Sequence, residues 1–182
     1  FSLITLRRLM MFVLCGVLTA VVCFAIFQLF SLLHSHINVS TIINPFVEEL
    51  SKALPLFILA RRRKMVFFID SVISGAAVGA GFCMVENLLY LFDGEPMGIG
   101  TALFRGLEVA LLHMGCSAII AAGLMFAVRI VERRRSRLEI KQKDLWMAIL
   151  LLFSAPLLHI LPNAILNSQF AIHYSPVIQL AV

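Results

Sequence analysis

Charged side chains are scarce in this chain: Asp, Glu, Lys and Arg make up 14% of its 182 residues, against 61% hydrophobic. A soluble domain carries about 25% charged residues, so composition excludes a water-exposed globule. The four cysteines, Cys15, Cys23, Cys83 and Cys116, form no CxxC pair and sit in apolar runs. That excludes a zinc ribbon or a disulfide scaffold and leaves them as small, polarisable core residues. No HExxH occurs, so the commonest zinc-protease signature is absent. Gly79-Ala80-Gly81 lacks the third glycine and the preceding strand of a dinucleotide fingerprint. The internal repeat of an inverted-repeat transporter is missing as well.

What the chain has instead is long apolar runs. A hydrocarbon core about 30 Å thick takes roughly 20 apolar residues as a helix. Five stretches reach that length: 9–33, 41–60, 66–92, 101–131 and 145–166. The first is longer than a signal-peptide core of about 7–15 residues, and no small-residue cleavage site follows it. Another apolar stretch opens after Pro176 and reads as the start of a sixth span. With Phe1 in place of an initiating Met, this is the pattern expected of an excerpt from a longer chain.

Thirteen of the fifteen Lys and Arg fall on one side of five alternating spans: Arg7, Arg8, the run 61–64, and seven between Arg129 and Lys143. The opposite loops, 34–40, 93–100 and 167–175, hold none. The positive-inside rule then places the N-terminus in the cytoplasm. It also accounts for the net charge of +5, and nucleic acid is discarded as a partner. The expectation is an all-α, polytopic transmembrane helical bundle of five full spans plus the start of a sixth. It forms one domain over 1–182, with the lipid bilayer as its solvent. Ser71, Gly75, Gly79 and Cys83, at four-residue spacing, predict a face on the third span where two helix backbones approach closely.

Ten polar residues interrupt these spans: Glu48, Glu49, Lys52, Glu86, Asn87, Arg105, Glu108, His113, His159 and Asn163. A charge near the bilayer centre costs at least about 2.5–3.5 kcal/mol on insertion scales, so such side chains pair or face a cavity. Pairing accounts for some of them, since Glu48 and Lys52 are spaced i, i+4 and Arg105 and Glu108 i, i+3. Glu108 is read as structural in this way, and Lys52, Asn87 and Arg105 as supporting. At about 1.5 Å per residue, Glu48, Glu49, Glu86 and His159 lie about 9–12 Å below the outer ends of their spans. His113 comes out about 18 Å down an overlong fourth span, an excess that tilt absorbs. Scattered structural pairs have no reason to agree in depth, so these groups are expected to form one site.

Buried carboxylates and imidazoles suit general acid–base work, with a Glu activating water and a His moving a proton. His159 and Asn163, one helical turn apart, would aim an imidazole and an amide at one carbonyl oxygen, and Pro162 between them would loosen the helix. The competing chemistry is zinc, for which His113, His159 and a Glu make a His₂Glu set with an open position. Ser117, four residues after His113, reads as a helix-face serine bonded to its own backbone. His34 and His36 read as interfacial loop residues.

The motifs also run in a known order. Glu48-Glu49-Leu50-Ser51-Lys52 reads EExxK, and Phe82 to Asn87 reads FxxxEN. Arg105 precedes His113 on the next span, and His159 to Asn163 reads HxxxN. From Asn44 to Asn163 the chain thus resembles the PrsW family of intramembrane proteases, related to CAAX prenyl endopeptidases and bacteriocin-immunity-type membrane proteins. The resemblance implies peptide-bond hydrolysis within or at the edge of a bacterial cytoplasmic membrane, at a site in its outer half. It implies a membrane protein or lipidated protein as substrate, an anti-sigma factor being the family's best-known case.

The resemblance maps the water-activating base to Glu48, and water orientation and oxyanion stabilisation to His113 and His159. Glu49, Glu86 and Asn163 complete the expected catalytic set. Asn163 stands where some PrsW-like proteins carry Asp, and an amide is a poorer metal or proton partner. The expectation is therefore a glutamate mechanism without a cofactor. The alternatives are Zn2+ on Glu48, Glu86, His113 and His159, or a catalytically inactive binding or immunity protein. With outer loops of seven to nine residues and no soluble recognition domain, specificity is expected to come from a membrane groove. Nothing in the sequence bears on oligomeric state.

Overall fold

The computed structural model describes the backbone of residues 4–33, 43–62, 67–93 and 99–178, and the side chains of 4–29, 43–62, 67–92, 99–100 and 102–162. It forms five helices: α1 (Leu6–Leu33), α2 (Ile43–Arg61), α3 (Phe68–Asp93), α4 (Ile99–Arg135) and α5 (Gln142–Ile178), with no strand among the described residues. Their starts and the ends of α1 to α4 lie within a few residues of the expected spans. The exception is the end of α5. Residues 167–175, expected as an outer loop, continue that helix, as does the stretch after Pro176 up to Ile178. Between Pro162 and Pro176 the sequence has no glycine or proline to break a helix already under way, and Pro176 removes only one backbone donor near its end. Residues 179–182, where the sixth span was expected to begin, lie outside the described residues.

By length and composition, α1, α3, α4 and α5 are each able to cross a membrane. α2 falls short of that apolarity because Glu48, Glu49 and Lys52 interrupt its 19 residues. Its position explains how a charged helix is accommodated. Among the described residues α2 packs against all four other helices, and no other helix does so. Its polar face is thereby enclosed by protein, which is where ionisable groups in membrane helices are tolerated. The exposure pattern is the reverse of a soluble domain's. Leu18, Leu103 and Phe153 are 65%, 70% and 68% exposed, whereas Lys52 is 0% and His113 1%.

α3 runs between α1 and α4 and touches both through glycine. A Cβ at Gly75 or Gly79 would collide with the α4 backbone at Ser117 and His113. One at Gly81 would collide with Val13 of α1, and one at Gly16 of α1 with Val78 of α3. Residues 79 and 81 point about 200° apart at 3.6 residues per turn, so one short segment serves two neighbours. The expected small-residue face is present toward α4, with Ser71 and Cys83 also buried. The second contact carries its own signal in the sequence, Gly16 and Ala20 at four-residue spacing. Phe12, Leu56, Val78, Ile120, Ala121 and Ala155 fill the core, and Phe82 joins Ala20 and Cys23 in a smaller cluster. All four cysteines are free, and Cys23, Cys83 and Cys116 are buried.

At the basic end, α4 stops in a Schellman-type cap. Leu138 N–H donates to Arg133 O, Arg137 N–H donates to Arg134 O, and Arg137 holds φ at 55°.

Candidate active site

Four helices converge on one polar cluster. Glu48 and Glu49 come from α2, Glu86 from α3, His113 from α4 and His159 from α5. Their registers follow from the packing just described, since Gly79 brings the α3 backbone against His113 itself. The His113 Nε2 lies 2.5 Å from Oε2 of Glu86, two helical turns along α3 from that contact. The rings of His113 and His159 meet edge to face, with centroids 4.7 Å apart. The side chain of Asn163 lies outside the described residues.

Lys52 sits at the centre of the cluster, fully buried. Its Nζ donates to Oε1 of Glu49 at 2.5 Å and contacts Nδ1 of His113 at 2.8 Å. The same Glu49 oxygen lies 2.7 Å from Nδ1 of His159. The pairing expected between Glu48 and Lys52 is replaced by one between Glu49 and Lys52 at i, i+3. The reason is tertiary: Glu48 faces the cavity, while Glu49 and Lys52 point between the two histidines. Phe82, the first residue of FxxxEN, packs against both Lys52 and His113. Its ring lies 4.6 Å from Lys52 Nζ and 5.2 Å, centroid to centroid, from His113. Cation–π contact of this kind partly compensates a desolvated ammonium.

The cluster opens into a cavity of about 390 Å³ whose wall includes Glu48, Glu86, His113 and His159. Arg105, Glu108, Val109, Leu112 and Pro162 also line it. Glu49 and Lys52 do not line the cavity and lie behind the histidines. Among the described residues no ion pair joins Arg105 to Glu108, the pairing expected from their spacing. Arg105 instead lies over Tyr90 of α3, its guanidinium carbon 3.4 Å from the ring centroid. Asn87 turns away from the cluster, and its amide donates to Gly106 O at 3.4 Å, joining α3 to α4. Ser117 Oγ is buried with no hydrogen-bond partner among the described residues, so no Ser–His nucleophile forms there. Phe82 as a platform and Tyr90 as a rest for Arg105 were not foreseen, and no spacing rule on one helix would have found them.

Glu48, His113 and His159 each place a ligand atom within 4.8 Å of the other two, a His₂Glu donor set of the catalytic zinc type. Glu48 and His159 suit a metal well. The Nδ1 of His159 is anchored on a carboxylate, as metal-binding histidines usually are, and its Nε2 faces Glu48 at 3.8 Å. His113, as bonded, does not. Its Nδ1 meets an ammonium and its Nε2 a carboxylate, so neither nitrogen offers a lone pair. The donor set fits a metal at two of its three positions.

No curated protein and no solved structure matches the chain. A family model described as PrsW family intramembrane metalloprotease matches residues 5–182, nearly the whole length. The ordered motifs, the all-helical fold and the convergence of their residues on one cavity agree with that match, and the chain belongs to the PrsW family of intramembrane proteases.

Proposed function

We propose that this chain is a glutamate-dependent endopeptidase that cuts a membrane-anchored or lipidated protein, of anti-sigma-factor type, in the outer half of a bacterial cytoplasmic membrane. Residues 1–182 act as one catalytic domain of five spans with a cytoplasmic N-terminus, α2 counting as a span because protein encloses its charges. The observation that carries the reading is the convergence of Glu48, Glu86, His113 and His159 on the wall of one cavity.

Glu48 is the base. It reaches the cavity, whereas Glu49 is committed to Lys52 and His159. Its carboxylate takes a proton from water as the water oxygen attacks the scissile carbonyl carbon. The carbonyl oxygen takes up negative charge, for which the Asn163 amide, one turn beyond His159, is the assigned donor. The C–N bond then breaks, and the amine nitrogen receives the proton that Glu48 removed. Co-expression with candidate single-pass proteins tests this. Wild type should release a fragment that the Glu48→Gln variant, equally well inserted, does not. Full cleavage by Glu48→Gln would end the proposal.

A second reading is supported by the family's description as metalloproteases and by the His₂Glu grouping. Zinc would be held by Glu48, Glu86, His113 and His159, where it would polarise the carbonyl and activate water. That reading requires Lys52 to give up its contact with His113. The contact supports the glutamate mechanism over it.

A further inference from the structure

Hydrogen-bond partners decide which ring nitrogen of each histidine carries a proton. A lysine ammonium only donates, and an ionised carboxylate only accepts. Lys52 Nζ, 2.8 Å from Nδ1 of His113, therefore requires that nitrogen to be bare. Glu86 Oε2, 2.5 Å from Nε2 of the same ring, requires a hydrogen there. A His113 protonated at Nδ1 would set two donors against each other. His159 is governed in the opposite sense. Glu49 Oε1, 2.7 Å from its Nδ1, requires a hydrogen on that nitrogen. Its Nε2 has no hydrogen bond among the described residues and lies 3.8 Å from Glu48 Oε2.

We infer that Lys52 and Glu49 are positioning residues that hold the two histidines in opposite tautomers, His113 as a fixed Nε2–H donor and His159 as the proton acceptor at Nε2. Both are almost fully buried and neither lines the cavity, so they act through the rings they hold. One Glu49 oxygen bonds both Lys52 and His159, which ties the two assignments together.

The consequence is a division of labour, and it rests on the proposed hydrolysis. His113 takes up no proton in the reaction, because one nitrogen faces an ammonium and the other already carries hydrogen. It stays at the cavity wall as a fixed donor, held there by Glu86. His159 does take one up. The proton that Glu48 removes from water passes to Nε2 of His159 and then to the amine nitrogen as the C–N bond breaks. The ring ends neutral, the carbonyl carbon has gained OH, and the amine has gained H.

Nitrogen-15 spectroscopy of histidine-labelled protein in detergent micelles reads the tautomers directly, because bare and protonated ring nitrogens resonate far apart. His113→Gln and His159→Gln identify the two rings among the five histidines. Wild type should show hydrogen on Nε2 of His113 and on Nδ1 of His159. Lys52→Met should free Nδ1 of His113 to take up a proton, adding the doubly protonated ring to its spectrum, while Nε2 of His113 and Nδ1 of His159 keep their hydrogens. The same tautomer in both wild-type rings, or a His113 signal unmoved by Lys52→Met, overturns the inference. If Lys52→Met does not fold, the wild-type spectrum decides alone. Cleavage assayed in parallel separates the two claims. An inactive chain with these tautomers defeats the hydrolysis and keeps the positioning, and an active chain with them reversed does the opposite.

Discussion

Glu49 and His159 stand 110 positions apart in the chain and share a 2.7 Å hydrogen bond, through the same carboxylate oxygen that binds Lys52. Two helices, α2 and α5, are thereby joined at one atom, Lys52 carries the network on to His113 of α4, and each partner is nearly or fully inaccessible to solvent. Such a network is costly to break on one side only. Lys52→Met should leave Glu49 as an uncompensated buried charge and destabilise the protein by about 3–5 kcal/mol. The double variant Lys52→Met/Glu49→Gln should recover much of that loss. A double-mutant cycle on unfolding in detergent measures the coupling. Losses that simply add would show that the pair is not coupled.

Glu86 is expected to act through its bond to His113. In Glu86→Gln the amide oxygen can still accept from Nε2, whereas Glu86→Leu removes the acceptor. A hydrogen bond to a charged group is worth about 1.5–3 kcal/mol. Cleavage should therefore fall by roughly ten- to a hundredfold in Glu86→Leu, at about 1.4 kcal/mol per factor of ten, and less in Glu86→Gln. Equal losses in the two variants would assign the charge of Glu86, rather than its acceptor, to the reaction.

The glycine contacts predict a contrast on α3 and α4. Gly79→Ala places a methyl group against the backbone at His113 and Met114, and overpacking of that kind costs about 1–3 kcal/mol. Gly115→Ala, whose added methyl meets nothing within 4 Å, should be neutral or stabilising by up to about 1 kcal/mol through helix propensity. Thermal unfolding of the two variants in one detergent compares them. Cleavage should also fall in Gly79→Ala, because the displaced backbone carries His113.

Metal analysis distinguishes the two hydrolytic readings. Purified, active protein should contain no stoichiometric zinc and should keep its activity after chelation. Loss of activity on chelation, restored by zinc alone, would favour the metal reading. A matching result in Lys52→Met, with zinc binding tightened, would show that Lys52 normally opposes it.

The helices were legible because each is long and apolar, and the one-sided run of positive charges separates them. The site was legible in part. EExxK, FxxxEN and HxxxN named Glu48, Glu86 and His159 because an ionisable group in an apolar run stands out. Spacing on a single helix misled where tertiary partners compete. It paired Lys52 with Glu48 and Arg105 with Glu108, but Lys52 bonds Glu49 and His113, and Arg105 lies over Tyr90. Asn87 belongs to a motif, yet it joins two helices instead of entering the cluster.

Composition and pattern by themselves determined that this protein lives in a bilayer, that it is helical, and which residues are out of place there. Those are properties of individual segments in a solvent, and a segment carries them wherever it packs. Only the tertiary structure decided that α2 is enclosed by the other four helices, that Gly79 seats His113 beside Glu86, and that Lys52 lies between Glu49 and His113. A hydrogen bond forms at about 3 Å between groups held by different helices, so the roles of the two histidines depend on interhelical register.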